Sequence, residues 1–217
     1  MTFSIVARDP ERGHLGVAVS TAVPCVGAGV PHVRAGVGAI ATQSFTNVGL
    51  GVEGLGLLEL GLSPEAALTA LLDKDTEPRR RQVAGVDAQG RAFAYTGEAC
   101  VGWCGSKVGD GYSVQGNMLV GEETIEAMAQ AFEAATGYLT ERLLVALEAG
   151  QAAGGDRRGR ESAALVTAPF GPDPYSAIDI RVDQHEQPVA ELRRIANSLA
   201  ARYKEAAAEV QRLETGG

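Results

Sequence analysis

The first twenty-one residues constrain the fold most, because they predict a β-hairpin that is apolar on both faces of its strands. Phe3 to Arg8 and Leu15 to Thr21 are rich in β-branched and small apolar residues, and residues 9–13 between them are typical of a tight turn. Strands without a polar face are buried on both sides. We therefore expect this hairpin in the middle of a covered sheet, with Thr2 at its open end, opposite the turn.

Thr2 is a candidate nucleophile because it lies directly behind Met1. If Met1 is removed, Thr2 carries both a hydroxyl group and a free α-amine, whose pKa of about 7.7–8.0 suits it to accept the hydroxyl proton. Ser4 follows one pleat further along the same face of the strand. The alternative is that Thr2 is an ordinary strand residue and that its place directly after Met1 has no functional meaning. This stretch alone leaves both interpretations open.

The net charge and the distribution of apolar residues argue against some classes of function. The chain of 217 residues has a net charge of −8, which argues against a general nucleic-acid binder because phosphate neutralisation needs a basic face. No apolar span approaches the ~20 residues that cross a membrane, and the first residues lack the pattern of a signal peptide. We therefore expect a cytoplasmic protein that binds neither nucleic acid nor membranes.

The cysteines and the known catalytic motifs give little basis for cofactor chemistry. Cys25, Cys100 and Cys104 are too few and too scattered for a disulfide scaffold, and the spacing of the last two matches neither a redox motif nor a zinc knuckle. The chain has no GxSxG elbow, P-loop or HExxH motif, and a lone GxGxxG match at residues 49–54 does not directly follow an apolar strand. We expect no metal and no cofactor.

The predicted elements follow in the order strands, helices, strands, helices, strands. After the hairpin, we predict helices at residues 49–61, 63–73, 121–136 and 139–149, and strands at residues 37–45, 82–87, 91–96, 112–115, 163–168 and 176–182. We interpret residues 24–38 and 97–111 as loops. This order indicates an α+β fold whose helices are collected in separate layers, not a strict βαβ alternation.

The end of the chain predicts one long helix. From Pro188 onward, apolar or small residues recur at spacings of three and four: Val189, Leu192, Ala196, Leu199, Tyr203, Ala206, Val210 and Leu213. This seam docks either on a partner chain or on the body of the domain, and its alanines bury little area per turn. We divide the chain into a domain at residues 1–183 and a helical extension at residues 184–217, and we expect a homo-oligomer, a dimer or larger.

Two polar segments besides Thr2 have residues typical of a site. In Gln115-Gly116-Asn117, the glycine lets backbone approach a ligand and the Asn117 amide can donate to a developing oxyanion. The strand at residues 37–45 ends in polar residues that include Ser44, which is typical of the lip of a site. For that strand, simple emergence into solvent is the alternative.

A glycine-rich loop at residues 154–160 places one carboxylate beside three guanidinium groups. Arg157 or Arg158 can hold a substrate carboxylate through two parallel hydrogen bonds, and Asp156 can fix that arginine or hold a substrate amine. The competing interpretation is structural. In this structural interpretation, Asp156 pairs with one arginine and so fixes the conformation of the loop, while the other arginines are solvated.

Three segments together resemble the bacterial family of unknown function called DUF1028, which is grouped with the N-terminal nucleophile (Ntn) hydrolases. They are Met-Thr-Phe-Ser-Ile-Val-Ala-Arg-Asp at residues 1–9, Gln-Gly-Asn-Met-Leu-Val-Gly at residues 115–121, and Ala-Gly-Gly-Asp-Arg-Arg-Gly-Arg-Glu-Ser-Ala-Ala-Leu at residues 153–165. The resemblance extends over residues 1–183. It implies a four-layer αββα sandwich, in which two antiparallel sheets face each other between two helical layers.

The resemblance also implies roles for single residues. Thr2 would attack an amide carbonyl with its own α-amine as the base, and an acyl-enzyme would then hydrolyse. Asn117 and the backbone amides around Gly116 would form the oxyanion hole, while Asp156 and Arg157 would position the substrate. All of this requires removal of Met1, because only then is the nitrogen of Thr2 an amine.

Two hypotheses follow from the sequence. The first is an Ntn-type amidohydrolase that cleaves an amide bond in a small, carboxylate-bearing substrate. The second is a catalytically silent small-molecule binding protein with the same fold.

Overall fold

The computed structural model describes residues 2–169 and 177–214. Within these residues the chain forms ten strands and five α-helices. The strands are β1 (Thr2–Arg8), β2 (Leu15–Thr21), β3 (Pro31–Arg34), β4 (Gly38–Ser44), β5 (Arg81–Asp87), β6 (Ala92–Thr96), β7 (Trp103–Gly109), β8 (Tyr112–Leu119), β9 (Ser162–Ala168) and β10 (Ile178–Val182). The helices are α1 (Val48–Glu59), α2 (Pro64–Leu72), α3 (Glu123–Ala134), α4 (Leu139–Ala152) and α5 (Pro188–Glu214).

The strands form two antiparallel sheets. The larger sheet has six strands in the order β10-β9-β2-β1-β8-β7, and the smaller has four in the order β3-β4-β5-β6. β1 and β2 pair along their whole length, from Thr2 opposite Thr21 to Arg8 opposite Leu15. The first hairpin therefore lies in the middle of the larger sheet, as the sequence predicts.

The two sheets pack face to face, and helices cover their outer faces. The core between the sheets consists of small and β-branched residues, among them Val6, Val17, Ala41 and Ala84. Helices α1 and α2 pack on the outer face of the smaller sheet. Helices α3 and α4 and the first turns of α5 pack on the outer face of the larger sheet. The predicted four-layer αββα sandwich is confirmed.

The side chains of β1 pack in two different cores, because successive side chains of a strand point to opposite faces. Phe3, Ile5 and Ala7 belong to the core beneath α3 and α4, whereas Val6 belongs to the core between the sheets. Ser4 shares the face of Val6 and reaches across to the smaller sheet. Both faces are buried, which explains why the sequence of this strand has no polar side.

Two segments that we predicted as loops contain strands, so that prediction was wrong. Residues 24–38 include β3, which pairs with β4 at the edge of the smaller sheet, and residues 97–111 include β7, which pairs with β8 at the edge of the larger sheet. Neither strand has a buried apolar face, since most of their residues are half-buried or exposed. These strands form because their backbones pair with a neighbouring strand. They therefore have no local apolar pattern from which they could be predicted.

The predicted long C-terminal helix is confirmed as α5, which spans 27 residues. Val189, Leu192 and Ala196 are buried in the core of the larger sheet's outer layer. Arg193 adds hydrogen bonds to the carboxylate of Glu148 at 2.8 and 2.9 Å. The first part of the predicted seam thus docks on the body of the domain. No helix in residues 2–169 and 177–214 is both long and apolar enough to cross a membrane.

Candidate active site

A row of five small polar residues crosses the larger sheet, with Thr2 at its middle. Thr2 pairs with Thr21 of β2 on one side and with Asn117 of β8 on the other. The same row continues outward from Thr21 to Ser162 of β9, and from Asn117 to Cys104 of β7. Adjacent partners in a sheet present their side chains on the same face. The sheet therefore brings together residues that lie up to 160 positions apart, as for Thr2 and Ser162.

Thr2 itself lies at the first position of β1, with its side chain turned between the two sheets. Its residue surface is 6% exposed, and its hydroxyl group donates to Oγ1 of Thr21 at 3.3 Å. Its carbonyl oxygen accepts a hydrogen bond from Nε2 of Gln43 at 3.5 Å. Thr2 thus has two neutral partners: Thr21 of the same sheet holds its side chain, and Gln43 of the smaller sheet holds its backbone carbonyl.

Gln82 of β5 is the centre of a buried amide network beneath this row. Its Nε2 donates to the carbonyl oxygens of Gly116 at 2.8 Å and Gly105 at 3.2 Å. Because a carbonyl oxygen can only accept, these contacts fix which end of the Gln82 amide is the NH₂ group. Its Oε1 must therefore accept, and it receives Nδ2 of Asn117 and Nε2 of Gln43, each at 2.9 Å.

Ser4 and Gln115 extend the network along β1 and β8. The hydroxyl group of Ser4 donates to Oε1 of Gln43 at 2.7 Å and accepts from Nε2 of Gln115 at 2.7 Å. Oε1 of Gln115 in turn accepts from the hydroxyl group of Ser113 at 2.9 Å. Ser4, Gln115 and Ser113 thus each donate to an acceptor, which allows these polar groups to be buried between two sheets.

The network contains no ionisable side chain. The residues that hydrogen-bond to Thr2 or pair with it are Thr21, Gln43 and Asn117, and all three are neutral at any ordinary pH. Among the described residues, no carboxylate, imidazole or amine therefore reaches the Thr2 hydroxyl by a hydrogen bond. Any proton taken from this hydroxyl must go to water, to the substrate or to the nitrogen of Thr2 itself.

Asn117 is held in one orientation beside Thr2. One hydrogen of its Nδ2 goes to Gln82, and no second partner for its amide is present among the described residues. The residue is 2% exposed. One N–H and the amide oxygen of Asn117 therefore remain available to a ligand. The role of Asn117 as an oxyanion donor stays a prediction.

Gly116 has a packing reason for being glycine. A Cβ atom at this position would lie 2.5 Å from Cδ1 of Leu119, on the face of the sheet that α3 and α4 cover. That face is opposite to the one that carries Thr2 and Asn117. The structure thus explains this glycine by the close approach of Leu119, while the Gly116 carbonyl serves to orient Gln82.

Among the described residues, three non-glycine residues adopt left-handed backbone, and all three lie near a strand end on the Thr2 edge of the sandwich. They are Cys25, Ser44 and Met118, with φ of 62°, 69° and 52°. Ser44 ends β4 directly after Gln43, and Met118 directly follows Asn117. Such conformations cost about 1–3 kcal/mol each and cluster at binding and catalytic sites. The strained positions of Ser44 and Met118 thus lie beside Gln43 and Asn117, at the same edge as Thr2.

A buried ion pair holds the strained end of β4. Arg81, which pairs with Ser44, donates to both carboxylate oxygens of Asp75 at 2.9 and 3.0 Å and to the carbonyl oxygen of Phe45 at 2.5 Å. Although burial acts to raise the pKa of Asp75, the hydrogen bonds from Arg81, from the Glu77 backbone and from the Asn47 side chain outweigh it and hold this pKa below its ordinary value. The Ser44 hydroxyl has no partner in the described part of the chain.

Asp156 fastens the two strands that flank Thr2. Its carboxylate is buried and accepts from the backbone N–H of Ala22 at 3.0 Å, one residue beyond β2, and from the backbone N–H of Arg158 at 2.9 Å. Its own backbone bridges to Leu119 at the end of β8. The Arg158 guanidinium reaches the same carboxylate at 3.4 Å and is largely exposed. These contacts favour the structural interpretation of Asp156 and Arg158.

Arg157 differs from its neighbours in the loop. Its backbone N–H donates to the carbonyl oxygen of Met118 at 3.4 Å, which places the residue beside the end of β8. Within residues 2–169 and 177–214, its guanidinium group makes no hydrogen bond or ion pair, and the residue is exposed. Its Nη1 lies close to Gly102, where an added Cβ atom would be 3.6 Å away. The role of Arg157 in binding a substrate carboxylate stays a prediction.

The surface at the Thr2 edge of the sandwich also carries exposed apolar side chains. Val23, Phe45, Val101 and Val120 are each 41–60% exposed, and each lies in a segment that leaves a strand at the Thr2 edge. The guanidinium groups of Arg80 and Arg81 stack on the Phe45 ring at 4.2 and 5.0 Å. The surface around the candidate site is therefore mixed, with apolar groups beside basic ones.

Sequence reasoning missed Thr21, Gln82 and Cys104 as members of this site. Their contacts with Thr2 and Asn117 depend on strand register and on the approach of the second sheet. One signal was present: Gln43, Gln82 and Gln115 are each a single glutamine within a short apolar strand. The Cys104 thiol lies in the same row, and burial, together with the nearby Cys100, raises its pKa.

Comparison with known proteins supports a single family. A family model described as a family of unknown function (DUF1028) matches residues 2–192. The protein SPO2555 from Silicibacter pomeroyi, a DUF1028 protein whose crystal structure is known, is 33% identical, with a TM-score of 0.85 over 91% of this chain and 85% of that chain. Among proteins with curated functions, none matches.

Two more distant structures also align over most of the chain. Anbu (ancestral beta-subunit) from Yersinia bercovieri is 10% identical, with a TM-score of 0.40 over 93% of this chain and 96% of that chain. The Anbu (Gly-1) mutant from Hyphomicrobium sp. strain MC1 is 12% identical, with a TM-score of 0.39 over 97% of this chain and 98% of that chain.

Proposed function

We propose that this chain, which belongs to the DUF1028 family, is an Ntn-type amidohydrolase with Thr2 as its nucleophile. The observation that carries the proposal is the position of Thr2: first residue of the central strand, turned between two sheets and surrounded by neutral side chains. A threonine hydroxyl without a neighbouring base is inert in most sites. A threonine at the start of a chain is different, because its own α-amine is adjacent and can accept the hydroxyl proton.

The α-amine of Thr2 acts as the base once Met1 has been removed. The hydroxyl oxygen attacks the carbonyl carbon of a substrate amide, and the hydroxyl proton passes to the amine. The tetrahedral intermediate then expels the substrate nitrogen, which takes that proton and leaves as an amine, so that an ester to Thr2 remains. Water hydrolyses this ester with the α-amine again accepting the proton, and the free hydroxyl returns.

Asn117 stabilises the negative charge that develops on the carbonyl oxygen. Its Nδ2 has one hydrogen fixed on Gln82, and the other has no partner among the described residues. A donor that is already oriented costs no reorganisation when charge appears, which is the basis of an oxyanion hole. Gln82 therefore acts through Asn117 as a positioning residue, and its own orientation is set by the Gly116 and Gly105 carbonyls.

The substrate is a small amide with a carboxylate. Arg157 provides an unpaired guanidinium at the end of β8, and such a group binds a carboxylate through two parallel hydrogen bonds. The Ser44 hydroxyl, unpartnered among the described residues and held at the end of β4 after Gln43, is a second polar contact. Asp156 and Arg158 keep the loop of Arg157 in place.

A catalytically silent binding protein is the second candidate. Thr2 is only 6% exposed and its hydroxyl already donates to Thr21, which is what a purely structural residue at this position would show. Arg157 and Ser44 would then hold a ligand that is not cleaved.

Amide turnover distinguishes the two candidates. We expect protein that lacks Met1 to hydrolyse members of a panel of N-acyl amino acids, and Thr2→Ala to abolish this turnover with a nearly unchanged melting temperature. Ser113→Ala, which alters the network far from Thr2, is the control and should retain activity. Binding of these compounds without turnover would support the silent binding protein, and turnover that persists in Thr2→Ala would place the nucleophile elsewhere.

A further inference from the structure

Two exposed valines lie beside Arg157, at the edge of the sandwich that holds the candidate site. Val101 is 60% and Val120 is 47% exposed. Val101 lies just before β7, and its carbonyl oxygen accepts a hydrogen bond from the backbone N–H of Met118 at 2.9 Å. Val120 directly follows β8, and its backbone N–H donates to the carbonyl oxygen of Gly155 at 3.2 Å. Backbone hydrogen bonds thus hold both valines in place at the end of β8.

The guanidinium group of Arg157 lies next to the turn that follows the first of these valines. The backbone N–H of Arg157 donates to the carbonyl oxygen of Met118 at 3.4 Å, and the N–H of the same Met118 binds Val101. A Cβ atom added at Gly102, the residue after Val101, would lie 3.6 Å from Nη1 of Arg157. Val120 follows Met118 closely in the chain. One cation and two exposed apolar side chains therefore lie around the same end of β8.

We propose that Val101, Val120 and Arg157, here called the leaving-group patch, bind the amino-acid half of the substrate, and that this half is an amino acid with a large apolar side chain, such as leucine. The inference rests on the amidohydrolase function proposed above. The substrate carboxylate binds Arg157, and the substrate side chain lies against the two valines. An α-amino acid carries both groups on one carbon atom, so a protein that recognises both needs a cation beside apolar groups.

The substrate is then an N-acyl derivative of an apolar amino acid. Thr2 takes the acyl group as an ester, and the amide nitrogen takes the proton and leaves from the leaving-group patch as the free amino acid. Water then releases the acyl group as a carboxylic acid.

The polarity of the leaving-group patch selects among amino acids. A leucine side chain removes more apolar surface from water against the valines than an alanine side chain does, and we expect it to bind about tenfold more tightly. A lysine or glutamate side chain in the same place loses hydration without gaining a polar partner from the valines. N-acyl lysine and N-acyl glutamate should therefore bind no better than N-acyl alanine.

Isothermal titration of the full chain with Thr2→Ala tests this selectivity, because the compounds then stay intact. The probes are the N-acetyl derivatives of leucine, alanine, lysine and glutamate, together with N-acetyl-leucine amide, which lacks the carboxylate. We expect the leucine compound to bind most tightly, and its amide to bind at least about tenfold more weakly.

Replacing the valines by threonine tests the leaving-group patch directly, since threonine keeps the branched shape and adds a hydroxyl group. Val101→Thr and Val120→Thr should each reduce the preference for leucine over alanine to about threefold, and the double variant should abolish it. Neither should change the affinity for N-acetyl-alanine. Val108→Thr is the matched control, because Val108 is 48% exposed but pairs with Ser113 near the opposite end of β7. It should keep the full preference, and melting temperatures verify that every variant is folded.

Two results would overturn the inference. One is equal affinity for the leucine and alanine compounds, or no binding of either. The other is a leucine preference that the double variant retains. These outcomes are separate from failure of the proposed function: binding with the expected preference but without turnover in the natural chain would contradict the amidohydrolase and leave the leaving-group patch in place as a binding site. Turnover without any preference would do the reverse.

Discussion

Thr2 and Asn117 lie directly opposite each other in the antiparallel pairing of β1 and β8, and the Asn117 amide is fixed by a 2.9 Å hydrogen bond to Gln82. A hydroxyl group at the start of a strand and an oriented N–H donor thus share one face of the sheet. An acyl-transfer site needs a nucleophile and an oriented donor near each other, and the pairing of Thr2 with Asn117 is compatible with these proposed roles.

Replacing Asn117 tests the oxyanion donor. If its free N–H contacts the developing oxyanion, Asn117→Ala should lower kcat by about 10²–10³-fold, since the donor acts in the transition state more than in the ground state. Steady-state kinetics on the best amide of the panel measure this effect. A change in KM alone would instead assign Asn117 to substrate binding.

Ser44 combines strain with an unpartnered hydroxyl, and two substitutions separate these properties. Ser44→Gly removes the left-handed strain at φ 69° and should raise the free energy of unfolding by up to about 1 kcal/mol, because glycine adopts this conformation without steric cost. Ser44→Ala keeps the strain and loses only the hydroxyl. Both should raise KM to the same extent if the hydroxyl binds substrate, and an unchanged KM in both would remove Ser44 from the site.

Replacing Arg157 should change substrate affinity but not stability, whereas replacing Asp156 should change stability. Arg157→Lys loses the bidentate geometry and should weaken substrate binding by about 1–3 kcal/mol without changing stability. Asp156→Ala leaves the N–H groups of Ala22 and Arg158 without their acceptor and should lower the free energy of unfolding by about 1–3 kcal/mol. Isothermal titration and urea unfolding measure the two quantities. Lower stability in Arg157→Lys with unchanged affinity would support a structural role for Arg157.

The buried pair of Asp75 and Arg81 predicts a pH dependence of stability. The hydrogen bonds that lower the pKa of Asp75 in the folded state outweigh the effect of burial, so the stabilisation is complete above the ordinary value of 3.8 and is lost as the pH falls through the lower folded value. Asp75→Asn should already be about 3–5 kcal/mol less stable at pH 7, because it leaves Arg81 buried without a counter-charge. Its stability should then fall less steeply in acid than that of the natural chain, as measured by urea unfolding at several pH values.

The position of Thr2 could be predicted because it depends on local signals. The hairpin of β1 and β2 is apolar on both faces and closed by a short turn, so its open end and its central place follow from the sequence alone. The order of strands and helices likewise indicated separate helical layers. The division of the chain at residue 184 stays a prediction.

The surroundings of Thr2 could not be predicted in the same way. Gln82 reaches Asn117 only because the smaller sheet packs on the larger one, and no local pattern reports that contact. The carboxylate of Asp156 binds the backbone of Ala22 across 134 positions of the chain. Edge strands such as β7 form by pairing with a neighbour, with little apolar content of their own.

The chemical state of the Thr2 nitrogen decides the central claim, because none of its hydrogen-bonded neighbours can act as the base. Intact-protein mass spectrometry of the chain purified from its native host measures this state. The proposed mechanism predicts a mass lower by one methionine residue, with Thr2 as the first residue in the N-terminal peptide. A chain that retains Met1, and so carries an amide at Thr2, would contradict it.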